Sequence, residues 1–384
     1  MIEADDFLGE AERRGHSFYT GVPCSFLTPV INRAASSRTL TYVGAASEGE
    51  AVAIAAGAWL GGRGTAVLCQ NSGLGNAVNP LTSLSAPFRI PTLMVVTWRG
   101  QPGLRDEPQH ELMGRITQDL LSLCGVGHLP FPPTVPGIRP ALDAAERAMA
   151  ETGRPFAFVM EQGAVREGTL DEVPRARGSV EDALDLAEGG ERPARATLLE
   201  RLLALLPDEA AVIATTGKCG RELFTLMDRD QHFYQVGSMG CASGMGLGVA
   251  LTTQRPVVVL DGDGAALMKL GSLATVGAYR PTGLVHVVLD NGVHDSTGGQ
   301  ATSAPVVDFA AVALACGYRR AWTCDTVAGF EAAMRAVVAS PGPALVHARI
   351  RPGSMGRLGR PTVAPHEVAQ RFRAFLGQPV SAAA

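Results

Sequence analysis

Paired cysteines are what this sequence most plainly lacks. Its seven cysteines, at 24, 69, 124, 219, 241, 316 and 324, are odd in number, scattered and nowhere spaced CxxC. That pattern supports neither a disulfide framework nor a zinc site. A basic excess is missing too: the net charge is -4, whereas a nucleic-acid-binding surface normally carries the opposite sign. No apolar run approaches membrane-spanning length, and the opening MIEADDFLGEAERRGH has no apolar signal core. A cytoplasmic protein with no nucleic-acid or membrane partner is expected. Aromatics are scarce at 5%, while Gly, Ala and Val are abundant, a mix suited to tightly packed α/β units rather than a β-sandwich.

With 384 residues, 46% of them hydrophobic, the chain can bury the cores of two ordinary domains. Short apolar runs at 65–69, 92–96 and 156–160 are predicted strands. Between them GEAVAIAAGAWLGG (49–62) is predicted to be a small-residue helix packed closely on a neighbour. Residues 166–194 are charged, with Pro and Gly, and are expected to form an interdomain linker. The alternation then restarts. Strands are predicted within 210–217, 232–237, 256–264, 284–292 and 344–350, and helices near 219–228, 241–253, 265–279, 307–317 and 327–339. The expected class is α/β, with two doubly wound parallel-sheet domains over 1–165 and 195–376 and a loose tail at 377–384. Ligands of such sheets gather beyond the carboxyl ends of the strands.

Two of those strand ends stand out. The run PVVVL ends in Asp261-Gly262-Asp263-Gly264, and LVHVVL ends in Asp290-Asn291-Gly292. Glycines at 262 and 264 allow a sharp turn and close approach of a bulky ligand. A helix starting near Ala265 would turn N–H groups toward phosphate oxygens. An acid in that setting makes sense if a divalent cation bridges it to phosphate, with Asn291 adding a neutral oxygen.

GDG followed by 26 residues and then Asn291 resembles the cofactor signature of the thiamine-diphosphate enzymes. The resemblance implies thiamine diphosphate with Mg²⁺ held by the Asp263 and Asn291 side chains and the Val293 carbonyl. It places Thr216, Gly217, Ser238, Gly262, Gly264 and Ala265 against the cofactor, and Met239 where the family has the wedge that bends it. The family usually has Asn-Asn where this chain has Asp290-Asn291. Read locally, Glu48 is a first-turn acid of a helix capped by Ser47. The pattern Glu-x-x-Ala-x-x-x-Ala-Ala-Gly (48–57), the family's spacing with one more spacer, is instead similar to the family's segment that carries the activating glutamate, with Glu48 in that position and Glu50 on a spacer. The resemblance also implies a pyrimidine-binding domain at 1–165, a diphosphate-binding domain at 195–376, and a homodimer or larger homo-oligomer with shared active sites.

The loops TGVPCSFLTPVIN (20–32), QNSGLGNAVNPLTSL (70–84), TWRGQPGLRDEPQHELMG (97–114), TTGKCGREL (215–223) and VGSMGCASGMGLG (236–248) narrow the resemblance. They are similar to family decarboxylases acting on small anionic 2-keto acids that carry a phosphonate or sulfonate. That implies cationic contacts from Arg99, Arg105, Lys218 or Arg221 and hydrogen bonds from Ser25 and Asn71. His110 and His294 would be catalytic, the former relaying a proton, and HDSTGGQ (294–300) would be a lid with glycine hinges. Cys24 is expected to pack rather than react.

Overall fold

The computed structural model describes residues 1–338 and 340–379. The chain divides into two compact units, the first ending at Pro174 and the second beginning at Arg175.

The first unit holds six strands: β1 (His16–Gly21), β2 (Thr41–Gly44), β3 (Gly64–Gln70), β4 (Leu93–Thr97), β5 (Gly127–Pro130) and β6 (Phe156–Met160). They form one sheet in the order β2-β1-β3-β4-β6-β5, parallel throughout. The side-chain period of two explains the burial. Leu68, Val95 and Phe158 join one core with Phe7, Val30 and Leu142, while Val67, Val96 and Val159 join another with Val52, Ala55 and Leu74. Both faces are covered, so these strands read as continuous apolar runs.

The second unit holds β7 (Leu184–Leu186), β8 (Ala211–Ala214), β9 (His232–Tyr234), β10 (Val257–Gly262), β11 (Leu284–Asp290), a small hairpin of β12 (Val293–His294) and β13 (Gln300–Ala301), then β14 (Arg320–Cys324) and β15 (Ala344–Arg349). Its main sheet runs β7-β14-β15-β11-β10-β8-β9, again parallel. The strand order reverses between β1 and β3 in the first sheet and between β8 and β10 in the second, and crevices for ligands open at such reversals.

The structure departs from the sequence reading in three places. Residues 166–194 are not a bare linker. Gly168 accepts from Asn32 Nδ2 and Asp171 donates to Ser36 in the first unit. Glu181 pairs with Arg319 and Arg320, and β7 adds an edge strand, in the second. The helix expected over 265–279 is two, Asp263–Met268 and Ser272–Tyr279, with the chain turning at Gly271 between them. The strands β2, β5 and β14 were not anticipated. The tail expected at 377–384 falls from residue 380 onward outside the described residues.

Candidate active site

In the second unit, β8 and β10 deliver two of the expected loops to the reversal point. Helix Lys218–Leu226 follows β8, entered through Gly217 at a φ of 95°, a left-handed value that favours glycine. Thr216 Oγ1 donates to the Val236 carbonyl (3.0 Å), tying this end to the next loop. There Ser238 also takes a positive φ of 53°, and its carbonyl accepts from Gln235 Nε2 and the Cys241 N–H. The strained residue presents Met239 toward the start of helix Asp263–Met268. A Cβ at Gly264 would lie 3.3 Å from the Met239 methyl and 2.7 Å from His294 Cε1, so a larger residue there would push the His294 ring aside. Ala265, next in that helix, is 2% exposed. Met239, Gly264 and His294, far apart in sequence, thus meet at one place.

Asp263 is almost wholly buried at 2% exposure. Burial pushes its carboxyl up from the ordinary range; the Thr302 hydroxyl, donating to Oδ2, pulls it down, and the charge of Asp290 pushes it up again. No lysine, arginine or histidine among the described residues forms an ion pair with it. Asn291 is held on both sides: its Oδ1 accepts from the Val293 N–H (3.2 Å) and its Nδ2 donates to Asp295 Oδ2 (2.6 Å). Asp295 in turn accepts from Arg195 Nη2 (2.8 Å) and the Gly353 N–H, while Arg195 Nη1 reaches Glu222 Oε2. Arg195 and Glu222 are buried, so the amide of Asn291 is braced by a buried charge network. A Cβ at Gly262 or Gly292 would meet nothing within 4 Å, so both turns border open space. The set is oxygen-only: a buried carboxylate lacking a cation, an oriented amide oxygen and turn carbonyls. Hard divalent cations take such donors.

The departure at Asp290 has a local reason. Its Oδ1 accepts the Gly292 N–H (2.9 Å) and its Oδ2 meets His347 Nε2 (2.8 Å) on β15, a partner suited to a carboxylate. The segment 294–300 forms the β12–β13 hairpin, Val293 opposite Ala301 and His294 opposite Gln300. Gly298 and Gly299 take positive φ at its tip.

Lys218 and Arg221 line a cavity of about 490 Å³ beside Thr216 and Gly217. Sequence reasoning missed Arg360 in its wall, along with Arg195, Asp295 and Thr302 around Asn291 and Asp263. The spacing of Asp295 four residues after Asn291 was the one local signal available for these.

In the first unit, the expected residues sit beyond the carboxyl ends of β1, β2, β3 and β4. Glu48 opens helix Glu48–Leu60, capped by Ser47 Oγ, which accepts from the Glu50 N–H. Its Oε2 accepts from Asn76 Nδ2 (2.8 Å), and the side chain lies where a Cβ on Gly73 would stand. Glu50 instead accepts the Ala46 N–H at 2.6 Å, which occupies it in shaping the loop. Ser25 borders a hollow of about 360 Å³ with Cys24, Tyr42 and Asn32. Cys24 packs as expected, its thiol toward Gln70 Oε1 and Thr97 Oγ1.

Arg99 grips Asp106 with Nε and Nη2, extends Nη1 to Ser25 Oγ (3.2 Å) and lies over the Phe26 ring. The Arg99 guanidinium holds the Asp106 carboxyl well below the usual range. Asn71 is fully buried, with both amide hydrogens donated internally, to the Arg99 carbonyl and Thr117 Oγ1. Its place in the unit is therefore to anchor the Arg99 backbone, and contact with a ligand would fall to Oδ1. His110 is buried in a short turn, with Nδ1 unpartnered. Arg105 lies exposed beside Asp106, Glu107 and Glu111 at another hollow. The first unit thus brings Ser25 to Arg99 and Asn71 to the Arg99 backbone, and leaves Arg105 among acids.

Comparison with known proteins agrees with this layout. Residues 4–122 match the family described as thiamine pyrophosphate enzyme, N-terminal TPP binding domain, and residues 215–348 match its C-terminal TPP binding domain. The chain belongs to the thiamine pyrophosphate enzymes. Within that class it is a member of the phosphonopyruvate decarboxylase family. It is 53% identical to the phosphonopyruvate decarboxylase of Streptomyces hygroscopicus, over 100% of this chain and 96% of that protein. It is 54% identical to that of Streptomyces viridochromogenes, over 99% and 96%. A sulfopyruvate decarboxylase of Methanosarcina acetivorans is 30% identical over 86% of each chain. Among solved structures, the benzoylformate decarboxylase of Polynucleobacter necessarius shares the fold at a TM-score of 0.72, with 14% identity, over 92% of this chain and 100% of that one.

Proposed function

We propose that this chain decarboxylates 3-phosphonopyruvate to phosphonoacetaldehyde and CO₂, using thiamine diphosphate and Mg²⁺. The reading rests chiefly on full-length identity above half to two phosphonopyruvate decarboxylases. The donor set at Asp263 and Asn291 supports it. A buried carboxylate that burial and Asp290 disfavour as an anion gains most from a bound divalent cation, and Mg²⁺ binds oxygen donors and phosphate together. Asp263, Asn291 and the Val293 carbonyl would hold the metal. Thr216, Gly217, Ser238, Gly262, Gly264 and Ala265 would lie against the cofactor, under Met239.

When bound, thiamine diphosphate would supply a ring carbon that adds to a keto group and an electron sink for the pair left behind when CO₂ departs. Glu48 is the proton-sharing acid for the aminopyrimidine ring, since its carboxylate is fixed by Asn76 while Glu50 is occupied by backbone. His110 and His294 are the candidates to deliver the proton that replaces CO₂. Ser25, oriented by Arg99, and Asn71 Oδ1 would position substrate, with Arg105 and Lys218 as further candidate contacts. The active sites are shared in a homodimer or larger homo-oligomer, and the protein works in the cytoplasm as part of phosphonate biosynthesis. The described residues contain no helix long and apolar enough to cross a membrane.

Phosphorus NMR of phosphonopyruvate incubated with protein, thiamine diphosphate and Mg²⁺ tests the reading. Phosphonoacetaldehyde should appear only when both cofactors are present. Turnover of sulfopyruvate with none of phosphonopyruvate would transfer the assignment to the sulfonate substrate.

A further inference from the structure

The cavity beside β8 has an unusual wall. Lys218, Arg221 and Arg360 line it together with Tyr234, Gln235 and Ser296, and no Asp or Glu takes part. Three cations around about 490 Å³ without an acid make a field that concentrates anions. Two of the three are uncommitted: among the described residues no hydrogen bond or ion pair engages the Lys218 ammonium or the Arg360 guanidinium. Arg221 has a different task. Its Nε donates to the Gly359 carbonyl (3.0 Å) and its Nη2 to that of Leu358 (3.2 Å), while the Gly359 N–H donates to Thr225 Oγ1 (2.9 Å). A Cβ at Gly359 would stand 3.2 Å from Phe224 and Thr225, so the glycine lets the strand of chain lie close on helix Lys218–Leu226. The Met355 N–H, donating to Glu222 Oε1 (2.8 Å), fastens the same segment upstream. The segment 351–364 is thereby a strap that carries Arg360 to the cavity.

We propose that this cavity receives the phosphonate of the substrate, with Arg360 and Lys218 as direct contacts and Arg221 as the residue that positions the strap. The inference rests on the decarboxylase reading above and assigns its anion-binding residues. A phosphonate offers three oxygens and up to two charges, which suits a guanidinium fork and an ammonium together. A sulfonate offers a single charge, so the same wall favours the phosphonate. The cofactor's diphosphate is the other source of such an anion, but its charge is met by the cation at Asp263 and Asn291.

Calorimetric titration of the holoprotein with 3-phosphonopropionate, which lacks the reacting keto group, tests the proposal without turnover. Arg360→Gln and Lys218→Gln should each weaken its binding by about tenfold or more, Arg360→Lys by less, with thiamine diphosphate affinity unchanged. Thermal unfolding of the variants checks that the fold is retained. A loss of thiamine diphosphate affinity with phosphonopropionate binding intact would overturn the proposal in favour of the diphosphate. Unchanged affinities for both would overturn it outright. Arg360-dependent binding of phosphonopropionate by protein that does not turn over phosphonopyruvate would sink the decarboxylase reading while leaving the anion site standing.

Discussion

The side chain of Glu48 fills space that exists because residue 73 is glycine. This supports two linked predictions. Glu48→Gln should retain thiamine diphosphate binding, measured by titration, and lose about 10²- to 10⁴-fold in kcat. Gly73→Ala should lower kcat similarly in a protein that still folds, because the new methyl displaces the carboxylate; far-UV circular dichroism and thiamine diphosphate titration check the fold and site. Glu48 was preferred to Glu50 on the resemblance to the family's glutamate segment, not on local pattern, and Glu50 is engaged by the Ala46 N–H. The partner of Arg99 was harder to see. Asp106 lies seven residues on in a loop without periodicity, so nothing in the sequence said that this guanidinium is already paired.

Strand ends and turns carry the site, and their quality depends on what braces them. The carboxylate of Asp295 fixes the amide of Asn291 and is itself fixed by Arg195. Residues that orient a ligand to metal typically govern its affinity by 10- to 100-fold. Asp295→Asn should therefore raise the Mg²⁺ concentration that half-saturates the protein by about tenfold or more, read from the Mg²⁺ dependence of thermal unfolding with thiamine diphosphate present. Unchanged Mg²⁺ dependence would remove Asp295 from this role. The small and polar endings of β8, β10 and β11 were legible because a buried parallel strand reads as an apolar run with an abrupt stop. β7 was not, since three residues in a charged stretch give no period, and β14 stayed hidden because Arg320 and Thr323 interrupt its apolar pattern.

Across the chain, two parallel sheets with both faces covered follow from alternating apolar runs and small-residue helices, which is why the fold class could be read without coordinates. The candidate site could be proposed from sequence where a motif is local, as at Asp263 and Asn291. It was illegible where distant segments converge, as with Arg195 or the strap bearing Arg360. The second unit also carries a pH sensitivity away from its site. Burial pushes His232 down to about 4, below its value of about 6.5 in an unfolded chain. The unfolded state binds the proton more readily, so the contribution of His232 to stability is intact above about pH 6.5 and declines as pH falls toward 4. The slope from one such group reaches about 1.4 kcal/mol per pH unit. His232→Gln should flatten the fall in urea midpoint between those limits, and an unchanged profile would contradict the assignment.

A cofactor held through Asp263 and Asn291 would be switched on by Glu48. Exchange of the thiazolium C2 proton for deuterium, followed by quenched-flow NMR on the holoprotein, measures that switch without substrate. The wild-type protein should exchange far faster than free thiamine diphosphate, and Glu48→Gln should fall by about a hundredfold or more. Equal exchange rates in the two proteins would contradict the account.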